Sequence, residues 1–253
     1  YEQIFAGDSN TAPEGPAGWS GWGPWNDSPD MLLCPSDSPQ PAYGGTTNRT
    51  NNYAFSIGDQ VASVRDDRTV RGLFSYARCV TFAEVLDGLS NTIAMSERLK
   101  ANYGITSVGQ GQIPHGYGTA DGVGGLRAAP GVCMQQSDGK YFIAGASVKG
   151  RFGSAWTDGQ PERVAFNTVL PPNAPGCTED ANVNADSNHL VIPPASHHPG
   201  GVNGLLADGS VRFISETIDA GNLATSQPND GMSRYGVWGA LGSKAGGEPP
   251  GQF

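Results

Sequence analysis

The stretch HPGGVNGLLADGSVRFI, His198 to Ile214, reads as a β-hairpin whose turn is written in its residues. Asp208-Gly209 is a two-residue turn signal, because a type I′ turn needs positive φ at both central positions and Asp and Gly tolerate it best. With those two at the turn, Ala207 pairs with Ser210, Leu206 with Val211, Gly204 with Phe213 and Asn203 with Ile214. Period-two alternation then puts Val202, Leu206, Val211 and Phe213 on one face. The opposite face carries Asn203, Leu205, Arg212 and Ile214. A hairpin apolar on both sides belongs inside a larger sheet rather than at its edge.

Working outward, the whole chain has the composition that such a hairpin needs around it. Its 253 residues are 37% apolar and only 15% charged, with 37 Gly and 19 Pro, together more than a fifth of the chain. That excess is spread rather than repeated, which excludes collagen-like order and implies many turns and short strands. Composition therefore leaves a loop-rich β or α+β domain, read as one domain over 1–253. A net charge of −9 argues against nucleic acid, whose phosphates need concentrated Lys and Arg. It argues equally against an anionic membrane surface. No stretch approaches the roughly 20 apolar residues of a membrane helix. A first residue Tyr1, without Met, reads as a processed or truncated chain.

Cys34, Cys79, Cys133 and Cys177 lie 45, 54 and 44 residues apart, without a CxxC pair that would suggest structural zinc. Two disulfides fit, with three connectivities open. Cys34–Cys79 and Cys133–Cys177 close the shorter loops, and free thiols are the alternative.

Elsewhere, Tyr1–Ala6 reads as the end of a helix. Met31–Cys34 reads as a short strand, 36–52 as a polar loop and Tyr53–Ile57 as a strand. Thr81-Phe-Ala-Glu84 is a capping box opening a helix over Phe82–Leu86, followed by a strand over Thr92–Glu97. Further strands are expected at Lys140–Ala144, around Trp156 and over Val164–Leu170, with Tyr235–Leu241 as a closing segment before a tail.

Signatures of chemistry are few. GxSxG, GxxxxGK[ST] and HExxH are all absent. His197 and His198 are adjacent, and neighbours in an extended segment point in opposite directions, so they make a poor metal pair. Asp87, Asn91, Glu97, Asp158 and Asp208 offer oxygen ligands of the type Ca2+ takes, though without EF-hand spacing. Trp19, Trp22 and Trp25 are the best compositional sign of a binding surface of the sugar-platform kind, since indole combines a flat apolar face with a polar edge. The alternative is that one or two of the rings cap the core under a loop. Arg98, Arg127 and Arg151 are candidates for holding an anionic sugar. An enzymatic alternative, a polysaccharide-acting or prepilin-processing enzyme, would draw on Asp158, Glu162, His115 and Tyr117.

Several blocks, taken together and in order, resemble one family. They are Leu33-Cys-Pro-Ser-Asp37, Asp87-Gly-Leu-Ser-Asn-Thr-Ile93 with Glu97-Arg98, and Phe166–Asn173 leading to Cys177. After these come His198–Ile218 and Tyr235–Gly242 with Ala245–Glu248. The order is similar to that of the large, heavily duplicated planctomycete family with a C-terminal His, nine residues, Asp-Gly domain. Here those positions are His198, Asp208 and Gly209, within a motif region over 195–248. The resemblance implies an exported, cell-surface or extracellular protein built as a type IV pilin or pseudopilin-like head, of fold class α+β with an antiparallel β-sheet, short helices and long Gly/Pro-rich loops, whose long N-terminal helix is absent from this chain. Membrane contact would then come only through that missing helix, and partners would be other pilin-like subunits, a second copy, or a solute or glycan. The family has been labelled both prepilin-processing-associated and solute-binding, and neither label names a reaction. His198 and Asp208, ten residues apart at about 3.3 Å per residue, are too far for a proton relay. Their expected roles, with Asn203, Gly209, Asp87 and Asn91, are structural.

Overall fold

The hairpin forms one residue out of the expected register. The structure, a computed structural model, describes residues 2–37, 49–101, 103–109, 111–182 and 186–248. In it Val202 pairs with Ile214, Asn203 with Phe213, Gly204 with Arg212 and Leu205 with Val211. The Leu206 N–H donates to Ser210 O at 2.8 Å and the Gly209 N–H to Leu206 O at 3.0 Å, so the loop has three residues, not two. Only Gly209 is left-handed, with φ +88°. Asp208 instead uses its Oδ1 to accept the Ser210 N–H at 2.9 Å and its hydroxyl at 2.6 Å. That is a turn closed by one left-handed residue, the commonest three-residue hairpin loop. A slip of one residue exchanges a strand's partners across the faces. Ile214 therefore joins Val202 and Leu206 in the core, while Val211 and Phe213 stand 65% and 51% exposed beside Asn203 and Leu205.

Among the described residues the strands, in chain order, begin with β1 (Tyr53–Ser56), β2 (Phe74–Ser75), β3 (Arg78–Cys79) and β4 (Ile93–Glu97). Next are β5 (Tyr103–Ser107), β6 (Thr119–Asp121), β7 (Ser147–Gly150) and β8 (Ala165–Phe166). The last four are β9 (Gly176–Thr178), β10 (Leu190–Val191), β11 (Gly201–Leu206) and β12 (Val211–Ser215). Three short helices accompany them: α1 (Glu2–Ala6), α2 (Pro161–Val164) and α3 (Gly236–Gly242). The fold is α+β. One five-stranded sheet runs β12-β11-β4-β1-β8 and a second runs β10-β9-β6-β7-β5, with β2 and β3 as a separate ribbon. Pairing is antiparallel except for β1 with β8 and β6 with β9. Of the hairpin, β11 lies inside its sheet and β12 forms the edge, correcting the expectation of an internal hairpin.

The first sheet buries Ile93, Phe166, Val202, Leu206 and Ile214 under Trp238 of α3. The Trp238 indole N–H donates to Leu170 O at 2.8 Å, satisfying the one polar group it carries inward. The segment expected to close the chain becomes this helix because its glycines permit close approach. A Cβ at Gly242 would lie 1.8 Å from Thr168 Oγ1. The second sheet packs Phe142, Val148, Val191 and Tyr235 around the Cys133–Cys177 disulfide. Cys34 and Cys79 are free, which corrects that half of the expected pairing.

Other corrections have local causes. Met31–Cys34 is no strand: Asp30–Leu32 is a 3-10 turn, and the Cys34 N–H donates to the Asn52 side chain at 2.9 Å instead of a ladder. The Phe82–Leu86 helix shrinks to the 3-10 turn Phe82–Glu84, because the Leu86 and Asp87 N–H groups turn to Lys244 O. Glu84 still reaches back to the Thr81 N–H at 2.8 Å. Of Val164–Leu170 only Ala165–Phe166 is strand. Pro161 starts α2 just before it. After it the Asn167 side chain takes over the pairing, accepting from Ile192 N–H and donating to Gln60 O and Leu190 O. Lys140–Ala144 bends around Asp138, which accepts the Lys140 and Tyr141 N–H groups, and the strand forms later as β7. Trp156 lies in a turn. Most of the loop read over 36–52, and the tail beyond 248, fall outside the described residues.

Candidate functional site

The Trp19/Trp22/Trp25 run divides. Trp22 and Trp25 are buried edge-to-face with ring centroids 5.4 Å apart, and the Trp22 indole donates to Asp8 Oδ2 at 2.6 Å. Gly15 is pressed against both rings; a Cβ there would lie 2.6 Å from Trp25 and 2.7 Å from Trp22. Trp19 instead stands 64% exposed. It lines a cleft of about 700 Å³ together with Phe55, Phe74 and Tyr76, a size in the range of small-molecule sites. Phe55 and Phe74 pack at 4.8 Å on the cleft wall. Arg65, Asp66 and Gln160 supply polar groups to the lining. The result is flat apolar surface beside a few hydrogen-bonding groups, the arrangement that fits the faces and hydroxyls of a sugar.

A second convergence involves the sequence blocks themselves. Glu97, at the end of β4, accepts the Asn203 N–H on Oε2 at 2.9 Å, and Asn203 Nδ2 reaches Oε1 at 3.2 Å. His198 Nε2 lies 3.2 Å from the same Oε1. Cys34 completes the group: its sulfur, a Glu97 oxygen and a His198 nitrogen all fall within 4.8 Å of one another. Asn52 ties the Cys34 loop down, accepting the Cys34 N–H and donating to Asp37 Oδ2 at 2.6 Å and Arg98 O at 3.0 Å. Burial, with the charge of Cys34 and Glu97 beside it, raises the Tyr53 hydroxyl above its ordinary value. His197 turns the other way, to the Tyr117 hydroxyl at 2.6 Å and Asp37 Oδ1 at 3.7 Å.

Three of the blocks that carry the family resemblance thus meet at one place. The family model described as Protein of unknown function (DUF1559), named SBP_bac_10, matches residues 1–221. The chain belongs to this family. It is the family to which the order of blocks pointed, and neither a curated protein nor a solved structure matches the chain.

Of the remaining candidate residues, Asp158 also lines the Trp19 cleft and the others lie outside it. Arg98 is buried with its guanidinium 4.2 Å from the Phe152 ring centre, and burial lowers its pKa to about 9. Arg151 is buried and pairs with Asp186 at 2.8 Å, so neither arginine presents its charge at the surface. Arg127 is exposed and bidentate to Glu179. Glu162 is buried against Lys149 at 3.1 Å, and Asp158 pairs with Arg163 at 2.7 Å. His115 is held between Ser137 and Asn173, its pKa lowered by burial, and with Tyr117 it lines another cleft of about 520 Å³. Of the four groups considered for an enzyme, His115 and Tyr117 share one cleft, Asp158 lines the Trp19 cleft, and Glu162 lines neither.

The oxygen donors considered for Ca2+ are dispersed too. Asp87 accepts the Gly246 and Gly247 N–H groups, Asn91 donates to Asp87 O, and Asp208 closes its own turn with Gly209. Among the described residues, only Cys34, Glu97 and His198 bring three His, Cys, Asp or Glu donors together. Sequence reading missed this group because its members stand 63 and 101 positions apart and each belongs to a different element.

Proposed function

We propose that this protein is an exported, non-enzymatic surface protein whose head binds a solute of glycan type in the Trp19 cleft. The cleft itself carries the reading: an exposed indole, three further aromatic rings and polar groups around about 700 Å³ of space. The solute-binding label in the family model's name agrees with it. The Cys133–Cys177 disulfide suits an oxidising compartment. Calorimetric titration against a panel of neutral and acidic polysaccharides tests the proposal. Binding should weaken about 10-fold or more in Trp19→Ala, as for an aromatic anchor, and stay unchanged in Phe82→Ala, an exposed aromatic outside the cleft. A panel without a binder, or equal binding by Trp19→Ala, would overturn it.

A pilin-like assembly is the second reading, favoured by one observation. The outer face of the first sheet carries Phe55, Met95, Leu205, Val211 and Phe213, all partly or well exposed. A contiguous apolar face of this kind suits a packed helix or a neighbouring subunit. Sedimentation of the chain with such a helix supplied should show oligomers that Val211→Lys/Phe213→Lys dissolves.

A further inference from the structure

We propose that Cys34, Glu97 and His198 form a binding site for a zinc-class divalent cation. The three donors are a thiol sulfur, a carboxylate oxygen and an imidazole nitrogen, all within 4.8 Å of one another. This is the mixed set that zinc takes and a hard cation does not: Ca2+ needs six to eight oxygens. With metal–ligand bonds of about 2.0–2.3 Å, the edges of a zinc tetrahedron are roughly 3.3–3.8 Å. The Glu97–His198 separation of 3.2 Å is already such an edge. The sulfur needs to close by only about 1 Å, within the reach of a side-chain torsion.

Charge and surroundings agree with this assignment. A thiolate and a carboxylate together neutralise a dication, while neutral imidazole adds nothing to the balance. Glu97 is nearly buried, whereas Cys34 is half-buried and the His198 side chain 35% exposed, so the site opens to water on one side. Three protein ligands with one open position is a recurrent zinc arrangement. Outer partners are in place: Asn203 holds both oxygens of Glu97, and Asn52 anchors the Cys34 backbone. Such partners set the orientation of ligands around a metal. Cys34, half-buried with its sulfur 2.9 Å from Ser36 Oγ, stands outside the disulfide and is free to act as a ligand. None of the three ligands lines the Trp19 cleft, so the proposal stands apart from the solute-binding reading.

The test uses the whole chain under a phosphine reductant, with Co2+ and then Zn2+ as probes. One equivalent of Co2+ should give thiolate-to-metal charge-transfer absorption with the d–d bands of a four-coordinate ion, and Zn2+ should displace it. Zn2+ should slow alkylation of Cys34, read by peptide mass mapping, and leave the exposed Cys79 reacting as before. Cys34→Ser should abolish the charge-transfer band and Cys79→Ser should keep it. Asn203→Ala, which loses only an outer partner, should weaken binding by about 10- to 100-fold. The alkylation measurement needs no variant, so misfolding of Cys34→Ser leaves the proposal open to refutation. Failure to bind Co2+, unslowed alkylation of Cys34, or a charge-transfer band that survives Cys34→Ser would overturn it.

Discussion

Glu97 and His198 are separated by 101 residues of chain, and Oε1 of one lies 3.2 Å from Nε2 of the other. The second oxygen of Glu97 accepts the Asn203 N–H, so one carboxylate pins both the approach to β11 and its third residue to the end of β4. Glu97→Ala removes that acceptor and leaves a backbone donor without a partner. The expected loss is about 2–3 kcal/mol of unfolding free energy, measured by urea denaturation of the metal-free protein. Glu97→Gln keeps an acceptor for Asn203 and should lose less than half as much. Equal losses for both variants would mean that the negative charge, not the hydrogen bond, matters.

The hairpin register makes a sharper prediction, because neighbours in sequence fall on opposite faces. Ile214 is 1% exposed in the core of the first sheet, whereas Phe213 is half exposed on its outer side. Ile214→Ala should cost about 2–4 kcal/mol. Phe213→Ala should cost under about 1 kcal/mol, the range of a surface substitution. The register read from the sequence requires the reverse order, so thermal melts of the two variants decide between the registers.

That reversal shows where the sequence was legible. Apolar stretches located β1, β4, β11 and β12, while the α+β class followed from the family resemblance. The hairpin register was read one residue off because both choices bury an apolar set, Phe213 with Val211 or Ile214 with Val202. The choice rests on Asp208 serving as a side-chain acceptor for Ser210 and leaving the left-handed position to Gly209 alone. Side chains that replace backbone pairing, such as Asn167 and Asp138, ended or moved strands in ways that periodicity does not record. Trp19 was legible as a residue type, but its separation from Trp22 and Trp25 depends on Asp8 and Gly15. The Cys34, Glu97 and His198 group was invisible because only the folded sheet brings its three segments together.

The Cys133–Cys177 disulfide closes 44 residues across the core of the second sheet. Chain-entropy estimates for a loop of that length give about 4 kcal/mol of stabilisation. Replacing both cysteines with Ala should lower the unfolding free energy by about 2–5 kcal/mol. Cys79→Ser should change it by less than about 0.5 kcal/mol, because that thiol is exposed and unpaired. Differential scanning calorimetry of the two variants measures both. A double Ala variant as stable as the parent would show that core packing around Phe142 and Val148 suffices without the link.

Glu162 gives the protein a pH signature. Its carboxyl is buried, lies 3.1 Å from Lys149 and accepts the Ser187 N–H at 2.8 Å. Burial, and then the nearby Asp186 charge, push its pKa up from the ordinary 4.5 to about 7. Between those values the folded chain keeps a proton that the unfolded chain has released. The contribution of this group to stability is therefore complete below pH 4.5 and is lost as the pH rises through about 7. Glu162→Gln cannot titrate. The stability of the parent minus that of Glu162→Gln should fall across this window by at most about 3 kcal/mol, and stay level on either side of it. Urea denaturation at half-unit steps of pH measures the difference, which cancels the other carboxylates common to both proteins. A difference that stays level throughout would mean that Lys149 and Arg151 keep Glu162 ionised across the window, with the buried network charged at every pH where the chain folds.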